Sequence, residues 1–261
     1  MNNETKESVE TLLSGMMERI IKKRTITEPF NEEDIAKDNP FGYRLVPIEI
    51  WKGAKFERSF VTSLGQGVFE QLAKIIAEGT GAVAENQHNE EITINTWRKE
   101  KIDEILSLHR KSERAPDWDA EVNEIMSLNN NRYEDLRIRF DLYVRRADGM
   151  EEFYSIKTVK PNLDQTEIAK RDMLYTKACK ENSEVYFALP FNPAGEGQDY
   201  KKIHSIPYRL FDMSNKNCIL IGSDFWNKVG QDKNTFNELL EIFQKVGEKY
   251  SDKIRKDYLK L

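Results

Sequence analysis

Apolar residues recur along this chain at two spacings, and each spacing predicts a different element. Strict alternation predicts a strand over Arg137–Arg145, and short apolar runs predict two more at Glu184–Leu189 and Cys218–Ile221. A spacing of three to four residues predicts amphipathic helices at five places: the N terminus, about 66–78, two stretches between 96 and 128, and about 234–258.

The most informative pattern is a predicted β-hairpin in which two polar side chains meet. Its first arm places four apolar residues on one face and Asp141 on the other. Ala147–Gly149 predicts a three-residue turn, and the second arm runs over Phe153–Val159. In this register Asp141 faces Ser155, and Lys157 lies on its diagonal, roughly 7 to 8 Å away at the backbone. The apolar residues of the first arm are Ile138, Phe140, Leu142 and Val144.

A helix is predicted to follow the hairpin and to reach about Lys180. Asn162 or Asp164 can cap its first turn, and Asp164-x-x-Glu167 fits a capping box. The resulting order is α-β-β-α-β, with room for one more strand. This order predicts an α/β fold in which a mixed β-sheet is flanked by helices, with additional N- and C-terminal helices.

Length and composition favour one domain over residues 1–261. The 261 residues are 39% hydrophobic, which is enough for a core. We expect a helical part at about 1–130, a core at about 60–225 and the C-terminal helix at about 234–258. The 40 basic and 45 acidic residues give a net charge of −5, so the whole chain has no global signature of a nucleic-acid binder.

Local charge gives a different picture after the hairpin. Residues 157–180 include six basic and three acidic residues, which predicts a basic strip that contacts phosphates. The basic residues are Lys157, Lys160, Lys170, Arg171, Lys177 and Lys180, and the acidic residues are Asp164, Glu167 and Asp172.

Several classes of protein are disfavoured. Cys179 and Cys218 do not suggest a disulfide framework, and they show no zinc-ligand spacing with the three histidines. The polar N terminus lacks the character of a signal peptide, and no apolar run approaches the roughly 20 residues that cross a bilayer. A soluble, cytoplasmic protein is expected.

The hairpin carries two groups that phosphodiester hydrolysis needs. The reaction requires a divalent cation, which carboxylates hold, and a group that orients the attacking water. One aspartate on the first strand and an acid-x-lysine on the second is the signature of the PD-(D/E)xK nuclease superfamily, which Asp141 and Lys157 resemble. In that pattern the carbonyl of Ile156 also faces the metal. The resemblance implies a restriction-endonuclease-like core.

This resemblance leaves one ligand open, because Ser155 stands where the motif has an acid. The serine hydroxyl can hold a metal-bound water but supplies no negative charge. Glu152 has the wrong parity and Glu151 lies too far back along the strand, so we expect the second carboxylate from a helix. Glu70 is the first candidate and Glu167 the second. The plain alternative for Asp141 and Lys157 is a solvated ion pair.

Longer phrases resemble the TdeIII family of type II restriction endonucleases, which cut DNA at GGNCC. This resemblance implies Mg²⁺-dependent cleavage of both strands by a homodimer, alongside a cognate DNA methyltransferase that acts separately. The phrases are NPFGYRL, KFERSFVTSLGQGVFEQLAKIIA, YSIKTVKPNLDQTEIAKRDML, YFALPFNPAGE and ILIGSDFWNKVG.

Carried over to this chain, the resemblance makes Asp141 the metal-binding aspartate and Lys157 the lysine that activates water. Residues after the second strand are expected to contact phosphates or base edges, although a solvated helix face explains each of them equally well. They are Lys160, Asn162, Gln165, Lys170 and Arg171. Two other hypotheses remain: a structure-specific or repair nuclease with the same core, and a non-catalytic DNA-binding protein with a degenerate metal site.

Overall fold

The structure is a computed structural model that describes residues 1–65 and 67–261 in full and residue 66 by its backbone. The helix predicted at about 66–78 has its predicted start at Gln66, whose side chain lies outside the described part. The chain divides into two compact units. The helical unit comprises Met1–Leu72 and Asn237–Leu261, and the sheet unit comprises Ala73–Phe236.

The helical unit is built from amphipathic helices. The first, α1, was predicted from its apolar spacing, and the Asn2 side chain caps it by accepting from the Thr5 amide. The segment 41–60 has no clear pattern because Ser59 is the one fully buried residue of its main helix, α4. The helices are α1 (Asn3–Lys22), α2 (Glu32–Asp38), α3 (Pro40–Leu45) and α4 (Ile48–Ser63), followed by α5 (Phe69–Glu78) and α10 (Thr235–Lys253), which span the unit boundaries.

The sheet unit holds a five-stranded sheet in the order β1-β2-β3-β4-β5. The first three strands are antiparallel, and β3, β4 and β5 are parallel, so the predicted mixed sheet flanked by helices is confirmed. The strands are β1 (Val83–Asn95), β2 (Tyr133–Arg145), β3 (Glu151–Ile156), β4 (Glu184–Leu189) and β5 (Ile219–Ile221). The helices are α6 (Thr96–Arg110), α7 (Trp118–Met126), α8 (Leu163–Cys179) and α9 (Ser223–Gly230).

Two elements of this unit escaped prediction. Strand β1 reads VAENQHNEEITIN, which has little apolar alternation, yet it pairs along most of β2. Its polar side chains find partners there: Thr93 donates to Asp135 across the ladder at 2.7 Å. The expected turn at 222–223 instead begins α9, whose Phe225 and Trp226 are buried.

The predicted hairpin register is confirmed. Leu142 pairs with Tyr154, and the Arg146 amide donates to the Met150 carbonyl at 2.9 Å, which closes the three-residue turn. Gly149 occupies the left-handed position of this turn, with φ of 89°. The second arm is shorter than predicted, because β3 ends at Ile156 rather than at Val159.

Strand β2 does not keep one regular alternation, and the departure lies at Asp141. The ladder to β1 lacks a bridge at this point: Gln87, opposite Asp141 in register, has a φ of 56°. Phe140 and Tyr143, three residues apart, both contact the ring of Phe153, at 5.1 and 5.0 Å between centroids. The expectation that all four apolar residues of the arm share one face is therefore wrong, because a local distortion shifts the alternation.

Helix α8 begins at the predicted place, and of the two predicted caps, Asn162 and Asp164, it uses Asn162. The Asn162 side chain accepts from the Gln165 amide, and the Gln165 side chain accepts from the Asn162 amide, which is a complete capping box. The box proposed for Asp164 and Glu167 is wrong, because both carboxylates pair with Arg110.

The core of the sheet unit lies between one face of the sheet and helices α6, α7 and α8. Its members include Phe140, Phe153 and Phe187 from the strands and Met173 from α8. Tyr154, the neighbour of Phe153, contacts Phe225 of α9, so helices lie on both faces of the sheet. Within the described part of the chain, no helix has the length and apolar character to cross a membrane.

Candidate active site

Asp141 and Lys157 meet at the end of β3, as the hairpin register predicts. Lys157 Nζ donates to Asp141 Oδ2 at 2.8 Å. The Lys157 amide donates to the Ala188 carbonyl of β4 at 2.9 Å, which fixes the backbone at the point where β3 ends. The two side chains are 22% and 20% exposed, so solvent or a ligand can reach the pair.

A third charged group, Asp172 on α8, lies within electrostatic range of this pair. The charges of both Lys157 and Asp141 act on its carboxyl. Asp172 is 8% exposed, and its nearest described cation is Arg171, whose Nε is 3.4 Å from Asp172 Oδ1. Two carboxylates and one lysine therefore interact electrostatically here, and their number matches the charges that the motif requires.

Burial raises the pKa of the Asp172 carboxyl above its ordinary value, and the negative charge of Asp141 raises it further. Arg171 and Lys157 oppose this shift without cancelling it. A carboxyl whose proton affinity is raised by a neighbouring negative charge favours a nearby cation, since added positive charge relieves the repulsion.

The serine of the motif lies on the same strand. Ser155 is 4% exposed and pairs in register with Phe187 of β4. Glu151 and Glu152, the acids closest to it in sequence, are engaged elsewhere: Glu151 with Tyr143 and Lys180, and Glu152 with partners that include Arg146. Their exclusion as the second carboxylate is consistent with these contacts.

The two predicted helical donors have different positions. Glu167 pairs with Arg110 at 2.5 Å rather than with the Asp141–Lys157 pair, so the structure does not bring it into this cluster. Glu70 belongs to the helical unit, at the second residue of α5, and stays a prediction.

The sequence around Asp172 already indicates that this residue lies on a buried face of α8. It lies three residues after Ala169 and four before Thr176, on a stripe of α8 that is buried. A carboxylate on a buried helical stripe needs a partner or a cation, and this helix directly follows the strand that carries Lys157. The predicted bounds of the helix are therefore enough to predict that Asp172 lies on its buried stripe.

The predicted DNA-contacting strip is mostly engaged within the protein. Lys170 is fully buried, so its expected role as a DNA contact is wrong. Asn162 and Gln165 use their side chains in the capping box, while Lys160 is exposed and Arg171 is 41% exposed. Among these five, Lys160 and Arg171 are the cations with exposed side chains, and Arg171 also lies 3.4 Å from Asp172.

Lys170 belongs to a buried polar cluster that links three helices. Its Nζ lies 2.6 Å from Glu121 Oε2 of α7, and His109 Nε2 of α6 lies 3.0 Å from Glu121 Oε1. All three side chains are 0% exposed, and Lys170 also donates to the Leu210 carbonyl. This cluster holds α8 in place against α6 and α7, and so positions Asp172.

The oxygen atoms at the site suit a hard divalent cation. In the part of the chain that the structure describes, no group of three or more His, Cys, Asp or Glu side chains forms a metal cage. Asp141 and Asp172 supply two carboxylates, and the Ile156 carbonyl is the backbone oxygen that the motif assigns. A site with one or two carboxylates fits Mg²⁺, which keeps several waters and takes further oxygens from a phosphate.

Comparison with known proteins identifies relatives over nearly the whole chain. The family model described as type II restriction endonuclease, HinfI, matches residues 5–247. The type II restriction enzyme HgiCII of Herpetosiphon aurantiacus is 30% identical over 99% of this chain and 99% of its own length. HgiEI from the same organism is 28% identical over 95% of this chain and 94% of that enzyme. MjaII of Methanocaldococcus jannaschii is 28% identical over 71% of this chain and 52% of that enzyme.

These matches favour the first of the three hypotheses drawn from the sequence. Each relative is named as a type II restriction enzyme, which neither a repair nuclease nor a non-catalytic DNA-binding protein would lead us to expect. The finer resemblance to the TdeIII family and the site GGNCC stay predictions.

Proposed function

The chain belongs to the HinfI family of type II restriction endonucleases, and from that premise we propose that Asp141, Lys157 and Asp172 form the centre that hydrolyses double-stranded DNA. The observation that carries the proposal is the contact of 2.8 Å between Lys157 and Asp141, whose charges both act on the Asp172 carboxyl. Enzymes of this class are site-specific deoxyribonucleases and generally use divalent metal ions.

Lys157 is the group that handles the attacking water. Its ammonium can donate to the water oxygen and orient a lone pair toward the phosphorus. The water oxygen bonds to phosphorus as the bond to the leaving sugar oxygen breaks; the proton of the attacking water passes to solvent, and the leaving oxygen takes a proton from a solvent water. The contact with Asp141 holds Nζ at the end of β3 before substrate arrives.

Asp141 and Asp172 would hold the cation, for which we propose Mg²⁺, together with the Ile156 carbonyl. When bound, the cation neutralises the charge that develops on the phosphoryl oxygens and lowers the pKa of water. Ser155 is proposed to hydrogen-bond a water at the same site. Because Asp172 replaces the acid that the motif places on the strand, the missing charge comes from α8.

For the substrate, we propose a short GC-rich palindrome, with GGNCC as the first candidate because of the resemblance to the TdeIII family. A homodimer whose two-fold axis matches the palindrome would cut both strands. We further propose a cytoplasmic location and a cognate methyltransferase that protects host DNA without forming a complex.

The test is digestion of unmethylated plasmid in Mg²⁺, followed by sequencing of the fragment ends. Discrete fragments with one shared end sequence are expected, and this sequence gives the recognition site. Smearing, or no cutting in Mg²⁺ and Mn²⁺, would contradict the proposal. Asp141→Asn should abolish cutting while duplex binding in EDTA persists, and normal cutting by this variant would refute the assignment of the centre.

A further inference from the structure

The helical unit contains a groove lined by five basic side chains. This cavity of about 600 Å³ lies between the end of α1 with the turn after it and one face of α4. No carboxylate lines it among the described residues. The basic groove is defined by Arg19, Lys23, Arg24, Lys55 and Arg58.

The sequence builds this groove from helical spacing rather than from a cluster of consecutive charges. The lining residues of α4 recur every three or four positions, so they share one helix face. Arg24 Nε donates to Ser59 Oγ at 2.6 Å, which joins the turn after α1 to α4. The lining residues of α4 are Trp51, Ala54, Lys55, Arg58, Ser59, Thr62 and Ser63.

Most of the positive charge in the groove is not neutralised within the protein. Glu28 lies 3.5 Å from both Lys23 and Arg24, and so offsets one charge. Arg19 and Arg58 are exposed and form no ion pair with a described residue. Basic side chains without acidic partners raise the local potential and attract anions.

A second observation points to a ligand with acceptor atoms. Trp51 lines the groove, and its buried Nε1 has no hydrogen-bond partner among the described residues. Indole nitrogen is only a donor, so the atom that completes it must be an acceptor. A buried donor without a partner is costly, and an anionic oxygen in the groove would satisfy it.

We propose that the basic groove binds backbone phosphates of duplex DNA. Trp51 and Arg58 are seven residues apart, roughly 10 Å along the axis of α4. This length exceeds a single phosphate and suits successive phosphates of one strand, whereas a small anion would engage only part of it. The proposal rests on the proposed function for the identity of the anion, but it concerns affinity rather than the chemistry of cleavage.

The experiment measures binding of the full chain to a labelled duplex of about 30 base pairs in EDTA, over a series of salt concentrations. Arg19→Gln/Arg58→Gln should bind at least tenfold more weakly at low salt. Its plot of log affinity against log salt should be shallower by about two, since each phosphate contact contributes about 0.9 to the slope. Arg255→Gln, which changes an exposed arginine outside the groove, should match the wild type.

Two results would overturn the proposal. One is a double variant that has the wild-type affinity and slope. The other is weaker binding of inorganic pyrophosphate by the double variant with duplex binding unchanged, which would assign the groove to small anions. Both substituted side chains are exposed, so an unchanged thermal transition is expected, and Trp51→Phe provides a second variant that removes the N–H donor together with the five-membered ring.

The design separates this proposal from the proposed function. Asp141→Asn should retain the wild-type salt slope, because the groove does not depend on cleavage. If the wild type does not cut DNA yet the double variant loses slope, the basic groove stands and the nuclease centre falls. If the wild type cuts DNA and the double variant has the wild-type salt slope, the nuclease centre stands and the basic groove falls.

Discussion

Two lysine–carboxylate pairs in the sheet unit have nearly the same length but opposite environments. Lys157 lies 2.8 Å from Asp141, and both side chains are about one-fifth exposed, at 22% and 20%. Lys170 lies 2.6 Å from Glu121, and both are 0% exposed. The distance alone therefore does not distinguish a pair that a ligand can reach from a pair that is enclosed in the fold.

The environments decide what each pair does. Burial lowers the pKa of the Lys170 ammonium despite the opposing charge of Glu121. Burial would raise the pKa of Glu121, but hydrogen bonds and charges from His109 and Lys170 outweigh it and lower the pKa. The buried pair is closed to solvent, while Asp141 and Lys157 can be reached by a ligand. Breaking the buried pair should cost stability, and breaking the accessible pair should cost activity.

The largest effect is expected for Lys157→Met. Without the ammonium the attacking water loses the donor proposed to orient it, so the cleavage rate should fall by about 10⁴-fold, equivalent to about 5 kcal/mol in the transition state. The free energy of unfolding should change by less than about 1 kcal/mol, because Asp141 stays partly solvated. Plasmid cleavage and urea denaturation measure the two quantities. A variant that cuts within tenfold of the wild type would remove Lys157 from the centre.

The same substitution at the buried lysine, Lys170→Met, should reverse this pattern. Glu121 would lose its cation in a site without solvent, at a cost of about 3–5 kcal/mol in the free energy of unfolding. Below its transition temperature the folded fraction should still cut DNA, with a modest loss through the altered position of Asp172. The matched control is Lys157→Met in the same denaturation series. Equal stability of the two variants would refute the contrast drawn between the pairs.

The accessible pair was predictable from sequence because every step was local. Apolar alternation predicted the two arms of the hairpin, and the three-residue turn fixed the register that brings Asp141 close to Lys157 at the end of β3. The apolar runs likewise located β4 correctly, at Glu184–Leu189. Such features depend on neighbours within about twenty residues, which one sequence can specify.

The buried pair and the second carboxylate were not predictable in this way. Glu121 and Lys170 meet only when α7 packs on α8, so the sequence could present Lys170 equally well as an exposed residue of a basic strip. Strand β1 is polar and is held by its ladder to β2, which is a long-range partner. The capping box at Asn162 also depends on a distant residue. Arg110, 54 residues from Asp164, binds the Asp164 carboxylate, so Asp164 does not cap the helix.

Asp172→Asn tests whether the accessible pair needs its third charge. Loss of one carboxylate should lower the cleavage rate by about 10²-fold and weaken the apparent affinity for Mg²⁺, without the collapse in stability of Lys170→Met. Measuring the cleavage rate across a Mg²⁺ titration separates the two effects, and Glu167→Gln is the control acid on the same helix. Full activity at low Mg²⁺ would leave Asp172 without a role in the centre.

The same variant has a pH signature whose sign is fixed by burial. The pKa of Asp172 is raised, so the folded state holds this proton more tightly than the unfolded state does. Its contribution to stability is therefore favourable at low pH and is lost as pH rises through the folded-state pKa. Asp172→Asn removes that loss, and should be at least as stable as the wild type at neutral pH. Thermal transitions measured from pH 4 to 8 in EDTA would show the difference.

The smallest effect is expected for Glu167→Gln, which interrupts an ion pair that is neither buried nor catalytic. Glu167 contacts Arg110, whose side chain is 48% exposed and also pairs with Asp164. Loss of one such contact should cost under about 1 kcal/mol, and cleavage should stay within a few-fold of the wild type. Asp172→Asn, assayed in parallel, is the matched variant for this comparison of cleavage rates, because both acids lie on α8. A large loss of cleavage at Glu167 with Asp172→Asn unaffected would return Glu167 to the position of second carboxylate, and would show that ligand binding rearranges the start of this helix.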